Sequence, residues 1–425
     1  MNDLSAVFRP ANILLPDFSR VDGTRWSVVA CDQYTSDPAY WQAVTDLVGP
    51  APSTLRLMLP EIWLGESAAR VPAIHAEMER ALREVLVPHP NAMIYLERTQ
   101  ADGRVRRGLI GAVDLEAYDY NKGSVSPVRA TEGTVLERIP PRMAVRRGAA
   151  LELPHVMLLV DDPDRTVIEP LSARRDDPVY DFDLMRNGGH VRGYLLSPAE
   201  QTAAVRALGL LATPAAMRDR YGADDRPPLL FAVGDGNHSL ASAKACYEEI
   251  KAALGPAAQD HPARYALCEV VNVHDPALDF EPIYRVAFGA DPADLRSAFA
   301  AYAASLSGKA APQTVTVLAG GTVQTVAVPA PEKQLPVGTL QAFLDAYLAS
   351  HPGVTIDYIH GEDAVRDLVA ADPAARVGFL FAGMEKSDLF RTVLYDGALP
   401  RKTFSMGHAH DKRFYLECRK IRESE

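Results

Sequence analysis

The sequence predicts a mixed α/β protein in two domains, on three observations. Apolar runs of strand length alternate with segments whose apolar residues recur at helical spacing. Asp-Gly and Gly-Gly pairs stand between apolar runs, where hairpins turn. The run Leu229–Val233 breaks at Gly234-Asp235-Gly236 and restarts as an alanine-rich helix over 237–254. The 425 residues exceed the usual size of one core, so the domains are set at 1–255 and 256–425. Gly255–Pro262, with two prolines and small or polar residues, is the linker between them.

In chain order, Trp26–Ala30 reads as a strand, and Ser36-Asp37-Pro38 signals a helix start before Tyr40-Trp41. Ile74, Met78, Ala81 and Leu82 give residues 71–86 helical spacing, a core face rather than a ligand site. Residues 93–98 and 104–114 flank Ala101-Asp102-Gly103 and predict an antiparallel hairpin. Val156–Val160 is a buried strand; the following Asp161-Asp162-Pro163-Asp164 lacks the spaced ligands of a calcium loop and is expected to be a solvated turn. Asp181-Phe182-Asp183 and the glycine-rich segment Asn187–Gly193 suit a lid or a substrate contact. In the second domain a hairpin is expected about Gly320-Gly321. Helices over 337–349, 362–371 and 385–393 then alternate with strands over 355–359 and 376–381, which predicts at least partly parallel pairing.

A formal net charge of −11 argues against a duplex-DNA binder and for a small-molecule partner. Cys31, Cys246, Cys268 and Cys418 are scattered without a C-x-x-C pair, so they are expected reduced and structural. No apolar run approaches membrane-spanning length and the first residues carry no leader pattern, so the expected location is cytoplasmic; oligomeric state is left open.

Chemistry concentrates at Gly234-Asp235-Gly236-Asn237-His238-Ser239. The glycines allow a sharp strand-to-helix turn, and the helix start beyond it favours an anion. His238 on the first turn can meet a phosphate oxygen, act as acid or base, or bind a metal. The plainer alternative is that Asp235 or Asn237 caps the helix and His238 packs on the strand. The spacing is neither a Walker loop nor a dinucleotide fingerprint, so it does not name the ligand.

Two further clusters carry charge. Arg138, Arg142 and Arg146 recur every fourth position behind Glu132 and Thr134, one basic ridge if helical, although Pro140 and Pro141 interrupt that helix. The ridge can grip phosphate while Glu132 takes a proton, or it can be an exposed loop of ordinary ion pairs. The segment Lys402–Arg413 places His408 and His410 on one face of a strand, a possible metal pair. Lys412 and Arg413 beside them oppose a cation and favour phosphate or substrate. His274-Asp275 belongs to a turn.

These segments together resemble a bacterial and archaeal family known as domain of unknown function 1015. The carriers are Ala30-Cys31-Asp32-Gln33-Tyr34-Thr35-Ser36-Asp37-Pro38, Thr131-Glu132-Gly133-Thr134 against His-Glu-x-Thr, and Asp235-Gly236-Asn237-His238-Ser239 against Asp-Gly-His-His-Arg. Pro282-Ile283-Tyr284-Arg285 and Lys402-Thr403-Phe404-Ser405 follow two later steps in part. The Asp-Gly-His-His-Arg turn is in turn similar to the signature of the ParB and sulfiredoxin superfamily, which includes a free-serine kinase.

That resemblance implies a ParB/sulfiredoxin-like module with a hairpin-bearing insertion, followed by a C-terminal α/β domain. It implies a magnesium- and nucleotide-dependent phosphotransferase on a small hydroxylated metabolite such as serine, with ATP or ADP as cofactor; a non-catalytic nucleotide or small-ligand sensor is the alternative. Glu132, Asp235 and His238 would be catalytic, and Asp235 would also hold magnesium. Gly234, Gly236, Asn237 and Ser239 would line the nucleotide. Ser239 stands where the family has arginine, so Arg142, Arg192 or Lys412 would replace that cation.

Overall fold

The computed structural model describes residues 4–173, 176–223 and 225–423. They divide into two units: Met1–Leu278 together with His408–Glu425, and Asp279–Gly407. The expected domain boundary at 255/256 falls inside unit 1, because the strand Tyr265–Asn272 beyond it pairs into the central sheet of that unit.

That sheet has ten strands: β1 (Phe8–Arg9), β2 (Ile94–Thr99), β3 (Val105–Asp114), β4 (Tyr118–Asp119), β5 (Val128–Ala130), β6 (Met157–Val160), β7 (Tyr180–Asp183), β8 (His190–Leu195), β9 (Phe231–Asp235) and β10 (Tyr265–Asn272). Their order is β7-β8-β2-β3-β10-β6-β9-β5-β4, with β1 on β3. The helices of unit 1 that matter here are α1 (Pro38–Val48), α2 (Ser67–Glu84), α3 (Ile139–Arg146), α4 (Pro198–Leu211) and α5 (Asn237–Leu254).

Both faces of the sheet are covered, and the two-residue period of the strands shows it. Ile94 and Leu96 pack into one cluster with Trp41 and Val44 of α1, whereas Tyr95 between them packs with Leu208 of α4 and Leu240 of α5. The β2–β3 hairpin forms as expected, Ile94 opposite Ile110 and Thr99 opposite Val105. Its turn is closed by the Gln100 amide on the Arg104 carbonyl at 2.8 Å, with Gly103 at φ 83°. Asp37 caps α1 through the Tyr40 amide at 3.0 Å. α2 buries Ile74, Met78 and Ala81, while Leu86 belongs to the next strand. The run from Trp26 is shorter as a strand than expected: Trp26 ends a short helix and only Val28–Val29 pair, with Phe414–Tyr415.

Two loop expectations are corrected. Asp161 and Asp162 are buried rather than solvated: Asp162 accepts from the Thr166 and Val167 amides at 2.6 and 2.9 Å, and Asp161 meets His274 Nε2 at 2.6 Å. These carboxylates brace the loop from inside, replacing water with backbone donors. The glycine-rich segment is no lid either, since His190–Leu195 is the strand β8, paired on both sides.

Unit 2 contains a sheet in the order 322–328, 313–319, 376–381, 280–288, 355–360, with 404–406 also on 280–288, and every pair is antiparallel. The parallel pairing expected here is therefore absent among the described residues of unit 2. Strands 355–360 and 376–381, joined by a helix, do run in the same direction, but 280–288 lies between them and pairs with both. Such split β-α-β units produce the strand–helix alternation of a parallel sheet without a parallel ladder. The hairpin at Gly320-Gly321 and the helices Pro336–Ser350 and Glu362–Ala371 agree closely with their sequence signals; the next helix, Asp388–Asp396, starts and ends three residues late.

Candidate functional site

The site is built where parallel strands β5 and β9 end. Val128 lies opposite Phe231 and Ala130 opposite Val233. Glu132 follows two residues beyond the end of β5 and Asp235 ends β9, both at the carboxyl edge where α/β sheets receive ligands. Thr131 Oγ1 donates to the Val233 carbonyl at 2.7 Å and fixes the exit of β5.

Gly236 then turns the chain into α5. Its φ is 76°, and a Cβ there would lie 3.0 Å from Val156 Cα and 3.4 Å from His155 Cδ2. Gly234 is small for a different reason, since a Cβ would meet Leu159 Cγ at 2.7 Å. The N-cap of α5 is Gly236 itself and no side chain caps the first turn, so the expectation that Asp235 or Asn237 caps the helix is corrected. Asp235 Oδ1 instead accepts from the Gly236 amide at 3.0 Å, and Asn237 Nδ2 points back at the Val233 carbonyl, 3.4 Å away. The left-handed glycine turns both side chains away from the helix end, which keeps its positive pole for something else.

His238 accepts from the Val135 amide through Nε2 at 3.4 Å. Burial, and then the charges of Arg142 and Arg138 against a smaller opposing effect of Asp32, push its pKa down to about 4. It is thus a neutral imidazole near pH 7. The positive charge comes from Lys412, whose Nζ is 3.3 Å from Asp235 Oδ2. Lys412 is placed by buried arginines: Arg98 donates to the His410 carbonyl at 2.9 Å and Arg106 to the Asp411 carbonyl at 3.0 Å. Arg413 pairs with Glu269 at 2.7 Å and with Glu417, and donates to the Pro154 carbonyl beside His155.

Ser239 Oγ lies 2.8 Å from His155 Nε2, and His155 Nδ1 lies 2.9 Å from Tyr415 Oη, which also receives the Cys31 amide at 3.2 Å. Asp32 Oδ2 is 3.9 Å from His155 Nε2. His155 and Tyr415 were missed by sequence reasoning; the available signal was a polar residue immediately before the strand at 156–160.

Other expectations resolve as follows. Pro140 and Pro141 do not interrupt α3 but start it, where a missing amide proton costs nothing. Arg142 pairs with Glu61, and Arg146 with Glu152 at 2.5 Å, so the ridge exists but two of its three arginines are already neutralised. Arg192 is not brought to the site: it lies on β8, five strand steps from β9, on the order of 20 Å at usual strand spacing, and pairs with Asp181 at 2.8 Å. Its strand runs along the opposite half of the sheet, so it cannot replace the family arginine. His408 and His410 do not share a strand face, because 409–411 is a 3-10 turn; their rings stack with centroids 5.3 Å apart. Among the described residues no group of three His, Cys, Asp or Glu side chains is arranged to hold a metal. The four cysteines are unpaired thiols. No helix among the described residues is long and apolar enough to cross a membrane.

A cavity of about 150 Å³ adjoins Ser239, His155 and Tyr415. A larger groove of about 1040 Å³ elsewhere in unit 1, lined by Val125, Val205, Leu210 and Met217 among others, holds no carboxylate or histidine among its described lining residues.

The fold and site define a mixed α/β protein whose central sheet presents carboxylates, an uncapped helix start and a lysine at one strand edge. The chain belongs to the family described as Protein of unknown function (DUF1015), whose profile matches residues 16–347. No curated protein matches the sequence. Among solved structures it is similar to a conserved hypothetical protein from Pyrococcus furiosus (10% identity, 73% of this chain and 94% of that one, TM-score 0.33). It is also similar to a free serine kinase in complex with AMP (11% identity, 72% and 92%, TM-score 0.34). A third is SbnI with C-terminal truncation from Staphylococcus aureus (10% identity, 70% and 82%, TM-score 0.32).

Proposed function

We propose that this protein is a nucleotide-dependent phosphotransferase acting on a small hydroxylated compound, with the nucleotide phosphates received at the start of α5. The observation that carries the reading is the turn itself: Gly236 in the left-handed region leaves the first turn of an 18-residue helix without a side-chain cap, with Lys412 fixed 3.3 Å from Asp235 beside it. Helix amides and an ammonium converge where phosphoryl charge needs stabilising. Ser239 follows in the same turn and Asn237 faces the sheet, whereas Arg142 is committed to Glu61. Glu132, just beyond the end of β5 at the same sheet edge as Asp235, takes the acceptor's hydroxyl proton.

Magnesium fits this set in part. Asp235 offers one carboxylate oxygen, but that oxygen faces Lys412, so the protein would contribute one or two carboxylates and the phosphates the remainder. When bound, the ion would neutralise phosphate charge. The Lys412–Asp235 pair also favours a second reading, a sensor that binds nucleotide without magnesium and without turnover.

Calorimetric titration of ATP and ADP, with and without magnesium, against the protein and Asp235→Ala separates these. Micromolar binding with magnesium, lost in Asp235→Ala, supports the phosphotransferase; binding indifferent to magnesium supports the sensor. Absence of binding to either protein overturns both. Glu132→Gln is expected to abolish turnover while sparing nucleotide affinity, and equal loss of both removes Glu132 from the role of base.

A further inference from the structure

The cavity beside Ser239 has an unusual wall. Leu57, Leu59, Met58, Met78, Val145 and Leu151 supply an apolar body, and Ser239, His155 and Tyr415 supply a polar end. Its four charged side chains pair with one another, Arg142 with Glu61 and Arg146 with Glu152. A zwitterionic amino acid would therefore bring an ammonium and a carboxylate to a wall whose charges are already matched, at a desolvation cost. Apolar cavities of roughly this volume take up benzene-sized molecules.

The polar end is a connected hydrogen-bond chain. The Cys31 amide donates to the Tyr415 oxygen, and that oxygen lies 2.9 Å from His155 Nδ1. His155 Nε2 lies 2.8 Å from Ser239 Oγ, so the imidazole links the phenol to the serine hydroxyl. Ser239 Oγ, which can both donate and accept, keeps capacity for one further partner. His155 is 6% exposed and Tyr415 3%, so water does not compete for this chain.

We propose that this cavity binds a small alcohol with an apolar body, its hydroxyl hydrogen-bonded to Ser239 Oγ and its hydrocarbon part lying against Leu57, Leu59 and Met78. The inference names the acceptor class of the phosphotransferase reading and rests on it for the word acceptor. Binding itself requires no nucleotide. Ser239 is a contact residue; His155 and Tyr415 are positioning residues that hold its hydroxyl in place.

The test is a titration of the full chain, labelled at its methionine methyl groups, with benzyl alcohol, toluene and L-serine, in the absence of nucleotide. Benzyl alcohol is expected to shift the Met58 and Met78 signals saturably and to bind about fivefold more tightly than toluene, the worth of one neutral hydrogen bond. Ser239→Ala should erase that preference while leaving toluene unchanged. Tyr415→Phe should alter the tautomer seen in the ¹⁵N shifts of the His155 ring, which a purely packing role would not do. Absence of saturable shifts at both methionines, or saturation by L-serine in preference to the alcohol, overturns the proposal. Because ADP titration is separate, loss of the nucleotide reading with alcohol binding intact is distinguishable from the reverse.

Discussion

Lys412 Nζ stands 3.3 Å from Asp235 Oδ2, joining a residue near the chain's end to the turn that opens α5. Each is largely shielded, at 17% and 19% exposure, so the pair is stronger than a surface bridge and sets the charge of the site.

Lys412→Met is expected to weaken ADP binding without magnesium by about tenfold, the loss of one charge-assisted contact plus exposure of the Asp235 carboxylate to phosphate. With magnesium the loss should be smaller, because the freed carboxylate can hold the ion. Calorimetry in both conditions checks this; an equal loss would mean that Lys412 grips phosphate whether or not metal is present.

His238 gives the site a pH dependence whose sign follows from its lowered pKa. The folded state resists protonation that the unfolded chain accepts near 6.5, so this contribution to stability is full above 6.5 and is lost as pH falls toward about 4. Urea midpoints measured from pH 7 to pH 4 should fall, and His238→Gln should flatten the decline across that window. An anion at the helix start would raise the same pKa, so phosphate should shift the His238 titration upward in NMR.

Arg413 neutralises Glu269 and Glu417, both essentially without exposure. Arg413→Met leaves buried Glu417 without its cation and Glu269 with Arg106 alone, and the expected loss is about 3–5 kcal/mol by chemical denaturation. It should also weaken ligand binding at conditions where the chain remains folded, because Arg413 holds the Pro154 carbonyl next to His155.

Gly236→Ala forces a Cβ into the left-handed region and to 3.0 Å from Val156 Cα, with an expected cost of about 1–3 kcal/mol. Gly133→Ala is the control: it meets nothing within 4 Å and should change the unfolding midpoint little. Similar effects at both positions would show that the turn does not depend on this geometry.

Much of the local structure was legible because its causes are local. The Asp102-Gly103 and Gly320-Gly321 turns, the Asp37 cap and the helix face Ile74-Met78-Ala81 are decided by φ preferences, capping and periodicity within a few residues. The Gly234–Ser239 turn was legible as a candidate site for the same reason. Its capping differs from the expectation because Gly236, in the left-handed region, takes the N-cap position itself and Asp235 and Asn237 bond within the turn instead.

What the sequence by itself determined is the mixed α/β class, the elements whose signals are short-range, and the turn where carboxylate, glycine and histidine meet. Tertiary structure alone decided that Lys412 rather than Arg192 faces Asp235, that His155 and Tyr415 stand behind Ser239, and that strands 355–360 and 376–381 are separated by 280–288. Each of these outcomes depends on pairing between segments far apart in the chain, where burial of both sheet faces and the matching of buried charges choose the partner, and no window of sequence contains that choice.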